Sequence, residues 1–171
     1  MRATATSRRR VASDRRSLHY HEAGSGTPIV FLHGYLMGAN LWDPVIQLLG
    51  GEFRCLAPEL PFGAHASPMR PDADLTSAGV GRLVADFLQA LDLHGVILIG
   101  NDSGGAIAQV VAARHPERLC GLILTSCDAF DNILRSCFGR SSPRPGCALL
   151  RRYWLPSSSD RFGHCPARMA G

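Results

Sequence analysis

Apolar positions along the chain fall into short continuous runs separated by stretches with helical spacing. Residues 18–22 (LHYHE) alternate and lead into Ala23-Gly24-Ser25-Gly26, the pattern of a strand and its turn. Residues 28–32 (PIVFL), 53–57 (FRCLA), 95–100 (GVILIG) and 119–126 (LCGLILTS) read as strands. Runs this short and this apolar suit strands buried on both faces. Between them, residues 40–49 (NLWDPVIQLL) predict a helix with Pro44 near its first turn. Residues 75–91 predict an amphipathic helix with Asp74 as its N-cap, and residues 104–114 a helix of small and apolar residues. Residues 58–71 carry four prolines and predict a long loop. Strands alternating with helices give an α/β fold with a mostly parallel sheet and flanking helices. Sites in such sheets lie at the carboxyl ends of strands. Two such ends carry unusual residues: His33-Gly34-Tyr35, and residues 100–105 (GNDSGG).

Composition bounds this picture. The 171 residues are 46% apolar and 19% charged, enough for one domain with a sizeable core. No run of about 18 apolar residues occurs, so no membrane partner is expected. The first 20 residues lack an apolar segment of secretory type, which predicts a cytoplasmic protein with reduced thiols. The six cysteines form no CxxC pair and no zinc-ligand spacing with histidine, so neither metal nor other cofactor is expected.

The net charge of +4 is unevenly spread: residues 1–16 hold six Arg and one Asp, and residues 133–171 seven Arg and one Asp. Residues 17–132 hold five Arg against twelve acids. Residues 1–17 therefore read as a disordered basic leader, and residues 133–171 as an irregular Arg-, Ser-, Pro- and Cys-rich tail. Arg-rich ends raise the alternative of a non-enzymatic binder of anionic partners. Neither end interleaves aromatics or shows a helical basic face, so no nucleic-acid partner is expected.

Chemistry concentrates at Asp102. A strand precedes it at once and a helix follows at once, the context of a nucleophile elbow. The central residue of such a turn adopts a strained conformation that presents its side chain above the sheet. Its neighbours two positions away must be small, and Gly100 and Gly104 are. In the rival register Ser103 is the nucleophile, as in a serine esterase or lipase, and its small neighbours would be Asn101 and Gly105. A third reading makes Asp102 a simple helix N-cap. The backbone N–H groups of Tyr35 and Ser103 are the candidate oxyanion hole, with His33 and Gly34 shaping the loop.

These segments, residues 31–34 (FLHG), 96–105 (VILIGNDSGG) and 114–118 (RHPER), resemble the α/β-hydrolase superfamily over about residues 18–132. An Asp at the elbow is similar to the haloalkane dehalogenase and epoxide hydrolase branch. The resemblance implies a small-molecule substrate, attack by Asp102, and a covalent ester hydrolysed by water. It also implies an acid partner after the strand that follows the elbow, where Asp128 stands, with Asp131 a weaker candidate. The chain departs from the branch in three places. Haloalkane dehalogenases usually have Trp directly after the nucleophile and Asn after His-Gly, where this chain has Ser103 and Tyr35. Epoxide hydrolases usually have Pro two after His-Gly, where this chain has Leu36. A carbon–halogen, epoxide or ester substrate all stay open.

The family's base histidine follows a cap and two further strands. Residues 133–171 show no such pattern, and His164, in a Gly-His pair, reads as a chance likeness. The expectation is a partial core over residues 18–132 that lacks the cap and last strands, with a tail that is a candidate out-of-frame segment. Little activity is expected without the base. The strand at 119–126 is expected to form an exposed, aggregation-prone edge.

Overall fold

The computed structural model describes residues 6–13, 16–65 and 68–127. Its centre is a six-stranded sheet: β1 (Ser7–Ser13), β2 (Arg16–Ala23), β3 (Thr27–Leu32), β4 (Phe53–Pro58), β5 (Val96–Asn101) and β6 (Leu119–Thr125). The spatial order is β1-β2-β4-β3-β5-β6. Strands β4, β3, β5 and β6 run parallel, and β1 and β2 are antiparallel additions at one side. The mostly parallel sheet follows from the apolar runs, because strands without a polar face must be covered on both sides.

Alternate residues of each central strand serve two cores. Val30, Leu32, Leu56, Val96 and Leu98 face α2 (Ser77–Ala90) and α3 (Ser103–Arg114), which bury Val80, Val84, Phe87, Ile107 and Val111 against them. Ile29, Phe31, Cys55, Ala57 and Ile99 face the other way, toward Trp42 and Ile46. Burial in this second layer pushes the Cys55 thiol pKa up to about 11. Gly81 lets α2 approach α3 closely, since a Cβ there would stand 2.8 Å from Val110 Cγ1.

Several expectations need correction. Residues 40–49 do not form one helix: a 3-10 turn covers Ala39–Trp42 and α1 begins at Asp43 (Asp43–Leu49), with Pro44 in its first positions. Proline has no N–H to continue an α ladder back across the turn, so it sits at a start. Helix α2 is capped by Thr76, whose hydroxyl accepts the Gly79 N–H at 3.1 Å. Asp74 instead accepts from the Thr76 N–H and hydroxyl, bracing the cap. The basic leader is not unstructured in its described part. Ser7–Ser13 pairs along its whole length with β2. Arg8 bonds Glu59 at 2.9 Å and Arg9 pairs with Glu22 at 3.0 Å, while Val11 packs against the α2 core. A three-arginine run hid the alternation, but arginines suit a sheet edge, where charge blocks further pairing.

Candidate active site

Strand β5 delivers its chain to a single sharp residue. Asp102 has φ 51° and ψ −129°, and Ser103 begins α3 directly after it. A positive φ in a residue other than glycine costs roughly 1–3 kcal/mol and marks a position held by its surroundings. The surroundings are glycines. A Cβ on Gly100 would meet Gly105 Cα and Gly104 O, and one on Gly104 would meet the Leu32 and His33 carbonyls. The α3 start therefore lies directly against the end of β3. Asp102 makes no side-chain capping bond to α3, so its carboxylate is not spent on the helix N-terminus. Asn101 Nδ2 donates to Thr125 O at 3.1 Å and ties the ends of β5 and β6 together.

The carboxylate stands against the loop that leaves β3. A Cβ on Gly34 would clash with the Asp102 side chain at Oδ2, Cβ and Cγ, so glycine is what lets the loop pass there. Ser103 Oγ donates to the same oxygen at 3.3 Å. Ser103 itself is helical and buried. Among the described residues, no histidine bonds to Asp102.

His33 is fully buried and bonded at both ring nitrogens. The Leu60 N–H donates to Nε2 at 2.9 Å, so Nε2 is unprotonated and Nδ1–H donates to Gly34 O at 2.9 Å. Burial lowers its pKa from the ordinary value of 6.5. A neutral ring with both nitrogens occupied holds the β3 and β4 loops together. Phe62 packs edge-on against it at 5.9 Å, and Tyr35 stacks on Phe62 at 4.6 Å. The Leu36 N–H donates to Phe62 O at 2.9 Å. The two loops thus form one unit beside Asp102.

Of the residues picked from the sequence, His33, Gly34, Tyr35, Gly100, Asp102, Ser103 and Gly104 converge at the carboxyl ends of β3 and β5. Asp128, Asp131 and His164 lie outside the described residues. Cys127, which the sequence pattern does not mark, joins the converging residues: its Cβ fills the space a side chain on Gly105 would need. The pair Gly104-Gly105 was the available signal: only one of the two glycines is needed for the turn itself. In the Arg-rich leader, Arg8 and Arg9 are engaged in ion pairs. Among the described residues no helix is long and apolar enough to cross a membrane, and no three His, Cys, Asp or Glu side chains gather as metal ligands.

The chain is similar to known proteins. A haloalkane dehalogenase of Mesorhizobium japonicum is 36% identical over 121 residues, 70% of this chain and 38% of that protein. Haloalkane dehalogenase 2 of Mycobacterium tuberculosis is 32% identical over 145 residues, 82% of this chain and 50% of that protein. The chain thus spans half or less of these relatives' length. The structure of the haloalkane dehalogenase DatA from Agrobacterium tumefaciens superposes with a TM-score of 0.63 at 32% identity, covering 72% of this chain and 42% of that one. The carboxylesterase CesB of Bacillus subtilis, at 23% identity and a TM-score of 0.65, shares the fold. The sequence profile of the α/β-hydrolase fold matches residues 27–162. With the parallel sheet, its flanking helices and this match over most of its length, the chain belongs to the α/β-hydrolase fold family.

Proposed function

We propose that the chain carries the nucleophilic half of a hydrolase in which Asp102 attacks an electrophilic carbon. The observation that carries this reading is the positive φ of Asp102 between an apolar strand and a helix, with glycines at 100 and 104 clearing the turn. The strained residue is Asp102, while Ser103 is helical and turned toward the Asp102 carboxylate, which favours the aspartate over the serine register. An alkyl halide is the substrate class to test first, since haloalkane dehalogenases stand among the relatives at 32–38% identity.

In this reading a carboxylate oxygen of Asp102 forms a bond to the carbon as the carbon–halogen bond breaks, and halide leaves with the electron pair. Water then adds to the ester carbonyl, releasing the alcohol and a proton and restoring the carboxylate. The backbone N–H groups of Tyr35 and Ser103 are the proposed donors to the oxyanion of the second step. His33 and Gly34 hold that loop. Asp128 is the proposed acid partner: it follows Cys127, which lies against Gly105 in the first turn of α3. The second step needs a general base to activate the water, and the reading expects this step to be the slow one, so that the ester accumulates.

Incubating the full chain with 1-bromohexane tests the reading. The expected result is a protein whose mass rises by one hexyl group in place of a proton, on the peptide holding Asp102 and absent in Asp102→Asn. No adduct, or acylation of Ser103 by an activated ester in its place, overturns it.

A further inference from the structure

Three consecutive apolar side chains stand exposed on the loop whose Gly34 lies against the candidate nucleophile. Tyr35, Leu36 and Met37 are 40%, 83% and 42% exposed, on the loop that follows β3. Leu36 carries two separate costs. It presents nearly its whole side chain to water, and its backbone has φ 59°, a region where glycine is the low-energy choice. Its N–H is tied to Phe62 O, and its Cδ2 approaches Gly63, itself at φ 108°. The conformation is therefore imposed by the two loops together, with the leucine side chain held outward. An unfavourable backbone and an exposed leucine at one residue point to a role outside the fold. Gly34, two residues before Leu36, touches the Asp102 carboxylate, so the same loop ends at the site. Tyr35 continues the apolar surface through its stack on Phe62.

We propose that Leu36, with Tyr35 and Met37, is an apolar rim that binds the hydrocarbon part of the substrate attacked by Asp102, and that Leu36 sets the preference for longer chains. This rests on the reading of Asp102 as nucleophile. The rim carries no charged side chain, so hydrocarbon chains fit it and carboxylate-bearing ones do not. Contact with substrate would bury the leucine that the described residues leave in water.

The test is the rate at which the full chain is alkylated by 1-bromohexane and by bromoethane, followed by intact mass, in wild type and Leu36→Gly. Glycine suits the positive φ, so this variant removes the side chain and its backbone strain, which offsets the entropy that glycine adds to the unfolded chain. For 1-bromohexane the concentration giving half the limiting rate is expected to rise about tenfold, the worth of one largely buried leucine. For bromoethane it is expected to stay within twofold, as are both limiting rates. The thermal midpoint is expected to stay equal or rise. An unchanged half-saturation for 1-bromohexane overturns the rim. So does a midpoint several degrees lower, which would mean that protein covers Leu36. Absence of any Asp102 adduct in wild type overturns the nucleophile reading itself, and the rim with it.

Discussion

At Asp102 the backbone does what the side chain alone does not ask for. Aspartate has no need of φ 51° to accept a hydrogen bond or to cap a helix, and here it makes no cap. His33 is the complementary case: a residue with possible chemistry that the fold has used up. Its neutral ring is fixed by one donated and one accepted bond, deep under the loop. A lowered pKa in the folded state has a definite consequence for stability. Above the ordinary value of 6.5 the ring is neutral in both folded and unfolded chains. As pH falls below 6.5 the unfolded chain takes up a proton that the folded chain resists, so stability is lost on acidification through that range. Urea unfolding at pH 7.5 and pH 5 is expected to show a larger drop for wild type than for His33→Gln. Equal drops would remove His33 from the acid sensitivity.

The unit that makes the site is β5, the turn and α3, brought against the end of β3. Its tolerance is set by backbone atoms, which cannot move aside like a flexible side chain. Gly104→Ala drives a methyl group into the Leu32 and His33 carbonyls. It is expected to cost about 3 kcal/mol or more in urea unfolding, as forced overpacking does. Gly51→Ala, whose added methyl meets nothing within 4 Å, is expected to stay within ~0.5 kcal/mol.

This unit was legible in the sequence because an apolar run, a polar residue and paired glycines follow one another without a gap. The loop at His33-Gly34 was legible for the same reason. Strand β1 was not: its three-arginine run hides the alternation of the hairpin it forms with β2, and its ion-pair partner Glu59 lies 51 residues away, beyond any local pattern. The cap of α2 shifted from Asp74 to Thr76 because both residues can accept backbone bonds, and composition does not choose between them. The contact of Cys127 with Gly105 was invisible for another reason. It depends on the register of β6 beside β5, which has an irregularity between Val96 and Ile97.

Among the described residues the sheet has two unlike margins. The β1 side carries the exposed Arg8, Arg9 and Arg10, while β6 exposes Leu122, Ile123 and Leu124, with apolar residues on both faces. Apolar margins of this kind promote association between chains. Ile123→Lys is expected to lower light scattering on heating with little change in the urea midpoint, because the isoleucine is 47% exposed. Scattering that is unchanged would locate the association elsewhere. The unlikeness of the margins limits the form that association takes. A sheet that is adhesive along both sides adds copies without end and grows into a fibre. The described sheet is guarded by guanidinium groups on one side, so association through β6 would join two copies about a two-fold axis and stop there.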